Sequence, residues 1–248
     1  MARQKGIFKI TGTLGDVNFY VIKGIGYARK AGGGFNGEAI RTQPNMQRVR
    51  ENASEFGHCS QVKKAFRLAL MPFLHGYRHN KLHARMMTLF TSIKALDTVS
   101  ERGKRRVTEG LQTAKGRYLL RQFAFTPQHS LLDALKRQAT FDWNTQRLTI
   151  NDFAPKAYKA PKAATHLGVT LGVLDFDFDS LEHSLAVSPT HFIEVDAGTT
   201  SFELEPEQVV VPSHVGIVVL GVRFYEVIET EVYGLDSMIG VGLLVIRV

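Results

Sequence analysis

A single cysteine, Cys59, in 248 residues leaves no partner for an internal disulfide and no Cys-x-x-Cys metal clip. It reads as a half-buried small side chain on a helix rather than a nucleophile. Its neighbour His58 makes no dyad with it, because adjacent helical residues point about 100° apart. No apolar run reaches the roughly 18 residues that a membrane-spanning helix requires. The opening MARQKGIFKITG lacks the apolar core and small-residue cleavage site of a secretory signal. The expectation is therefore synthesis in the cytoplasm without a signal peptide, with a place in a released or extracellular assembly left open. Catalytic signatures are missing too: there is no G-x-S-x-G, no H-E-x-x-H and no G-x-x-x-x-G-K-[ST]. The chain is read as non-enzymatic, with no catalytic residue, cofactor or metal assigned.

Acidic residues are scarce in the first part of the chain. Residues 1–150 carry 26 Lys and Arg against 9 Asp and Glu, a surplus of 17 positive charges. Residues 151–248 carry 5 against 14, a deficit of 9, and the whole chain comes to +8. A basic front binds polyanions, or the acidic back of its own chain or of a neighbour.

Periodicity divides the chain in three. Residues 1–40 predict a β meander, with IFKITGT, VNFYVI and GYARKA as strands and with Leu14-Gly15-Asp16 and Lys23-Gly24-Ile25-Gly26 as turns. Residues 41–112 predict a basic helical segment. Val49, Ala53, Phe56, Val62, Phe66 and Leu70 recur at helical spacing, with Gly57 a place to kink and Pro72 an end or a bend. A second stripe follows, Leu82, Met86, Leu89, Phe90, Ile93 and Leu96. Residues 113–248 predict strands from RYLLRQFAF onward, separated by turn residues at intervals of roughly ten. The fold class expected is α+β: an N-terminal meander, a helical segment and a C-terminal antiparallel β-sandwich of immunoglobulin-like type.

Four motifs bear on chemistry. Gly24-x-Gly26 starts like a dinucleotide fingerprint, but Arg29 stands where the third glycine belongs, so the glycines are read as hairpin turns. His75, His79 and His83 share a helical face, yet the outer two lie about 12 Å apart, too far for one ion. LDFDFDSLEH sets Asp175, Asp177 and Asp179 on one side of a strand and Phe176 and Phe178 on the other. An EF-hand loop fails there, with Ser180 and Ala186 at the glycine and glutamate positions. ERGKRR with its downstream basic residues offers Arg102, Lys104, Arg105, Arg106, Lys115 and Arg117 to phosphates without a base-reading motif.

The stretches ITGTLGDVNFY, RTQPNMQRVRENASEFG and GVRFYEVIETEVYGLDS resemble an uncharacterised family of conserved hypothetical proteins from Bacteroidota, with a Gly-turn N-terminal hairpin, an R-x-R-E-N helix and a β-rich C-terminal half. The resemblance implies a bacterial source and carries over no catalytic residue. VIKGIGYARKAGGG departs from the shorter turn of that family.

Together these features favour a structural protein that self-assembles into a filament, tube or shell through head-to-tail basic/acidic and strand-edge contacts. The joining residues would be Phe19, Tyr20 and Tyr27 of the hairpin, Arg48, Arg50, Lys63 and Lys64 of the basic helix, and Asp175, Asp177 and Asp179 of the acidic row. The alternative is a sequence-nonspecific nucleic-acid-binding protein that uses the basic helical segment.

Overall fold

A computed structural model describes residues 2–31, 37–77, 81–126, 130–235 and 240–248 and divides the chain into two compact units, Met1–Ala53 and Ser54–Val248.

The first unit is built on an antiparallel sheet of β1 (Ala2–Arg3), β2 (Gly12–Leu14), β3 (Val17–Ile22) and β4 (Ile25–Lys30), in the order β1-β4-β3-β2. Two-residue turns close it. Lys23 (φ 49°) and Gly24 (φ 78°) are both left-handed, as a type I′ hairpin demands. At the other turn only Gly15 (φ 53°) is, the pattern of type II′. The glycines of this stretch thus serve as turns. Residues 7–10, expected in a strand, are not in one. Ile10 donates its N–H to Gln4 Oε1 (2.8 Å), and Gln4 Nε2 donates to the Ile10 carbonyl (3.1 Å), so a side chain holds this segment as a loop. A short helix, α1 (Gly37–Thr42), follows, and Arg50 donates to the carbonyls of Ile40 (2.6 Å) and Gln43 (2.9 Å) behind it.

The second unit has a helical layer. Helix α2 (Gln47–Ala69), whose first residues belong to the first unit, runs through Gly57 without a break, and α2 ends before Pro72, which opens α3 (Met71–Leu74). Next come α4 (Leu82–Lys94), α5 (Val107–Gln112), α6 (Ala114–Arg121) and α7 (Ser130–Gln138). Two of these correct the expectation of strands from residue 117 onward. Thr113 Oγ1 accepts the Gly116 N–H (3.0 Å) and caps α6, turning RYLLR into helix. Leu131, Leu132 and Leu135, spaced for one helical face, bury α7 against the sheets.

The remaining strands form two antiparallel sheets. One is β5 (Ala139–Asp142), β6 (Arg147–Phe153) and β10 (Thr200–Leu204), ordered β10-β6-β5. The other is centred on β7 (His166–Phe176) and β11 (Val215–Ile228), paired from Val215↔Phe176 to Tyr225↔His166. β8 (His183–Val187) and β9 (His191–Glu194) flank β7, while β12 (Glu231–Gly234) and β13 (Val241–Arg247) flank β11. The protein is thus α+β with an antiparallel C-terminal sheet region. The central sheet is buried on both faces. Leu174, Phe176, Ile217, Val219 and, on β13, Leu243 meet Val62, Phe66, Phe73, Met86 and Phe90 of the helices. Leu167, Val169, Leu171, Val218 and Leu220 meet Phe141, Leu148, Ile150 and Phe202 of the three-stranded sheet, together with α7. Strands covered twice read as continuous apolar runs. An immunoglobulin-like sandwich leaves the outer face of each sheet to water, whereas here helices occupy one of those faces.

Two close approaches fix the helical layer. The Phe73 ring rests on bare backbone at Gly172 and Gly221, where an added Cβ would come within 2.6 and 2.3 Å of ring atoms. At Gly110 an added Cβ would lie 2.0 Å from the Ile93 carbonyl oxygen, because α5 crosses α4 backbone to backbone. Gly110→Ala is therefore expected to lower stability by about 1–3 kcal/mol in urea unfolding. Gly57→Ala, inside α2 with nothing within 4 Å of the new methyl, is expected to raise it by about 0.5–1 kcal/mol.

Candidate functional site

Helix α2 carries two faces. Glu55, His58, Cys59, Val62, Phe66 and Ala69 point into the second unit. Ser60, Gln61, Lys64, Arg67 and Leu68 fall on the other side and, with Met71, line an open groove of about 670 Å³. Lys63 sits where the two faces meet. It is 6% exposed, and its ammonium lies 3.1 and 3.2 Å from Nδ1 and Nε2 of His83, in the first turn of α4. Among the described residues no carboxylate pairs with Lys63, Lys64 or Arg67, and none lines the groove. The floor beside the cations is apolar, from Leu68 and Met71. Sequence reading named Lys63 and Lys64, but separated His83 from them by 20 positions. The available signal was a lysine adjoining Val62 on a buried stripe.

The basic loop after α4 is arranged differently. Buried Glu55 accepts from Lys94 Nζ (2.5 Å) and the Gly103 N–H (2.7 Å), with Arg105 Nε at 3.9 Å. Asp97 accepts the N–H groups of Val99, Ser100 and Arg106, each at 2.9 Å. Burial pushes both carboxyls up, but these bonds outweigh it and hold them below the usual carboxylate range. His58 receives the Val107 N–H (3.2 Å) and faces Arg106 (3.1 Å), and burial, then the Arg106 charge, push its pKa down. Of the sequence candidates, Arg105 and Arg106 are thus engaged internally, Lys104 pairs with Glu101 (2.9 Å), and Arg117 donates to the carbonyls of Leu111 (3.0 Å) and Gln112 (3.3 Å). Arg102 and Lys115 are exposed. Arg105 and Arg106 of this loop are held against the fold, and the loop keeps a surplus of positive charge.

The acidic row divides. Asp175 is buried and accepts from the backbone and hydroxyl of Ser213 (3.0 Å each) and from the His214 N–H (3.0 Å), with His214 Nδ1 at 3.1 Å. Burial pushes this carboxyl up, and the Ser213 and His214 bonds pull it below its usual value. Asp177 accepts from the Asp179 N–H and the Ser180 hydroxyl, both at 2.8 Å, and His214 Nε2 stands 3.6 Å from it. Strand β7 ends at Phe176, so the three carboxylates leave a common line, and Asp179 alone is exposed. Phe176 and Phe178 enter the helical core.

In the first unit Tyr20 and Tyr27 stack at 5.7 Å with the Arg29 guanidinium 5.8 Å from the Tyr20 ring, while Phe19 takes the opposite face. Arg48 pairs with Glu51 (2.9 Å). His79 lies outside the described residues, and His75 and His83 do not share a helix as expected: His75 follows the end of α3 with extended backbone (φ −59°, ψ 134°), whereas His83 sits in the first turn of α4. Burial pushes the Cys59 thiol up, keeping it protonated. Among the described residues no three His, Cys, Asp or Glu side chains gather into a metal site, and no helix is long and apolar enough to cross a membrane. Comparison with known proteins finds no matching family model, no matching curated protein and no matching solved structure.

Proposed function

We propose that this chain is a structural subunit that self-associates head to tail, without catalysis, into a filament, tube or shell. The observation that carries the reading is the N-terminal sheet. Among the described residues the first buried apolar side chain is Cys59, so the first unit has no core of its own. Yet it presents Ile7 (95% exposed), Phe8, Ile10, Leu14 (75%), Val17, Val21, Ile22 and Ile25. A small sheet gains stability only by burying a face, and an apolar surface of this kind marks an interaction site. Residues 1–53 also carry nine Lys and Arg against three Asp and Glu.

A surface of opposite charge lies at the β11–β12 hairpin. Ile228, Val232 and Tyr233 are exposed there beside Glu229 and Glu231, which make no ion pair among the described residues. A basic-apolar sheet of one copy against an acidic-apolar hairpin of the next is a heterologous contact, which propagates. Charge sets register and encounter rate, and apolar and main-chain contacts supply the affinity.

Light scattering and negative-stain microscopy of the gently purified full chain test this. Particles far heavier than the 27.7 kDa monomer are expected at micromolar concentration. Ile22→Asp, on the exposed sheet and outside any core, is expected to return the protein to monomer with unchanged far-UV circular dichroism. A clean wild-type monomer overturns the proposal.

A further inference from the structure

We infer that the groove between α2 and the start of α4 is a binding site for a phosphate ester, with Lys63, Lys64, Arg67 and His83 on the phosphate and Leu68 and Met71 against the ring or apolar body that carries it. This inference stands apart from self-association, because it concerns a different surface and one small ligand.

Among the described residues two lysines are buried, Lys63 and Lys94, and they are answered differently. Lys94 is answered by Glu55, Arg147 by Glu203 (3.0 Å) and Glu205 (2.5 Å), and Lys104 by Glu101. Lys63 is as buried as Lys94, but its polar neighbour is an imidazole instead of a carboxylate. A buried ammonium without an anion has given up hydration for little return. An anion entering the groove restores that balance, so the groove is electrostatically incomplete until filled.

The residue types select the kind of anion. Arginine forks onto two oxygens of a phosphate, and lysine adds a compact point charge. Ser60 and Gln61 supply neutral hydrogen bonds, and among the described residues no carboxylate lines the groove to repel an anion. Ser60, Lys64 and Arg67 follow i, i+4, i+7 spacing and so share one side of α2 over about 10 Å. That span, with the apolar floor beside it, fits a nucleoside monophosphate better than a bare inorganic ion. A free nucleotide and the backbone of a single strand offer the same phosphate chemistry, and the groove is open enough to admit either.

The test uses the full chain in about 50 mM salt, where phosphate contacts are strong. Binding of AMP, inorganic phosphate and a labelled oligothymidylate is measured by calorimetry and fluorescence anisotropy. AMP is expected to bind more tightly than inorganic phosphate, with affinity falling as salt rises. Arg67→Glu, an exposed position chosen to leave folding intact, is expected to weaken binding at least ten-fold. Lys63→Met is expected to do the same, with circular dichroism as the folding control. Arg102→Ala, on the loop after α4, is expected to leave affinity unchanged. Binding of the oligonucleotide but not of AMP assigns the phosphate to a strand and upholds the site. The inference is overturned if none of the three probes binds, or if binding survives Arg67→Glu, or if Arg102→Ala weakens it as much. Particle size, followed in the same samples, reads self-association separately.

Discussion

Phe66→Ala is expected to destabilise the second unit by about 3–5 kcal/mol, as truncation of a fully buried phenylalanine does. Phe66 is 0% exposed and joins parts of the chain far apart in sequence. From α2 it meets Phe90 of α4 edge-on at 5.5 Å, Phe176 at the end of β7 edge-on at 5.2 Å, and Phe178 in a stack at 5.8 Å. Phe125 approaches it at 6.2 Å. Each such pair contributes beyond its buried area, and no neighbour is free to fill the gap, since Phe90, Phe125, Phe176 and Phe178 are themselves buried. Urea unfolding monitored in the near ultraviolet measures the loss. Phe66→Leu, which keeps most of the volume, is expected to cost well under half as much. Equal losses in the two variants would show that the ring contacts contribute little.

Glu55→Leu is expected to cost about 3–5 kcal/mol, because it strands Lys94 as a buried cation without its anion. It also removes the acceptor of the Gly103 N–H and so loosens the start of the basic loop. Glu55→Leu/Lys94→Met removes both charges and is expected to recover most of the loss, a comparison that urea midpoints decide. The same carboxylates set the response to acid. Glu55, Asp97 and Asp175 hold their protons less tightly in the folded chain than their ordinary values imply. Their stabilisation is complete above the ordinary carboxylate range and is lost as pH falls through the lower folded values. Urea midpoints are therefore expected to drop between about pH 6 and about pH 3, and less steeply in the double variant. A wild-type midpoint flat over that interval would remove these three groups from the account.

Much of the local structure was legible in the sequence. The Lys23-Gly24 turn, the β7 and β11 runs, the apolar stripe of α4 and the Val62, Phe66 and Leu70 part of the α2 stripe each depend on residues a few positions apart, whereas Phe56, expected on that α2 stripe, is 61% exposed, and Glu55, His58 and Cys59 are buried in its place. RYLLRQFAF misled because its apolar residues suit either element, and Thr113, a cap lying just outside that stretch, decides for helix. The charge division between residues 1–150 and 151–248 was likewise plain, whereas the pairing of those charges was not. Nothing in ERGKRR itself shows that Glu55 and Asp97, 46 and 4 positions before its first residue, lie beneath it. Asp175 looked like a surface acid until Ser213 and His214 were found around it.

By itself, then, the sequence determined the α+β class, the hairpin turns, the apolar face of α4 and a basic front joined to an acidic back. Turn chemistry and side-chain period act over one to four residues, so they survive without any knowledge of the fold. Only the tertiary structure decided that the central sheet is covered twice, that Glu55 answers Lys94 across 39 positions, and that Lys63 meets His83 across 20 with no acid beside it among the described residues. Those meetings depend on α2 and α4 lying side by side. Burial then makes the Glu55–Lys94 pair strong, because a charge removed from water is governed by whatever stands within a few ångströms of it.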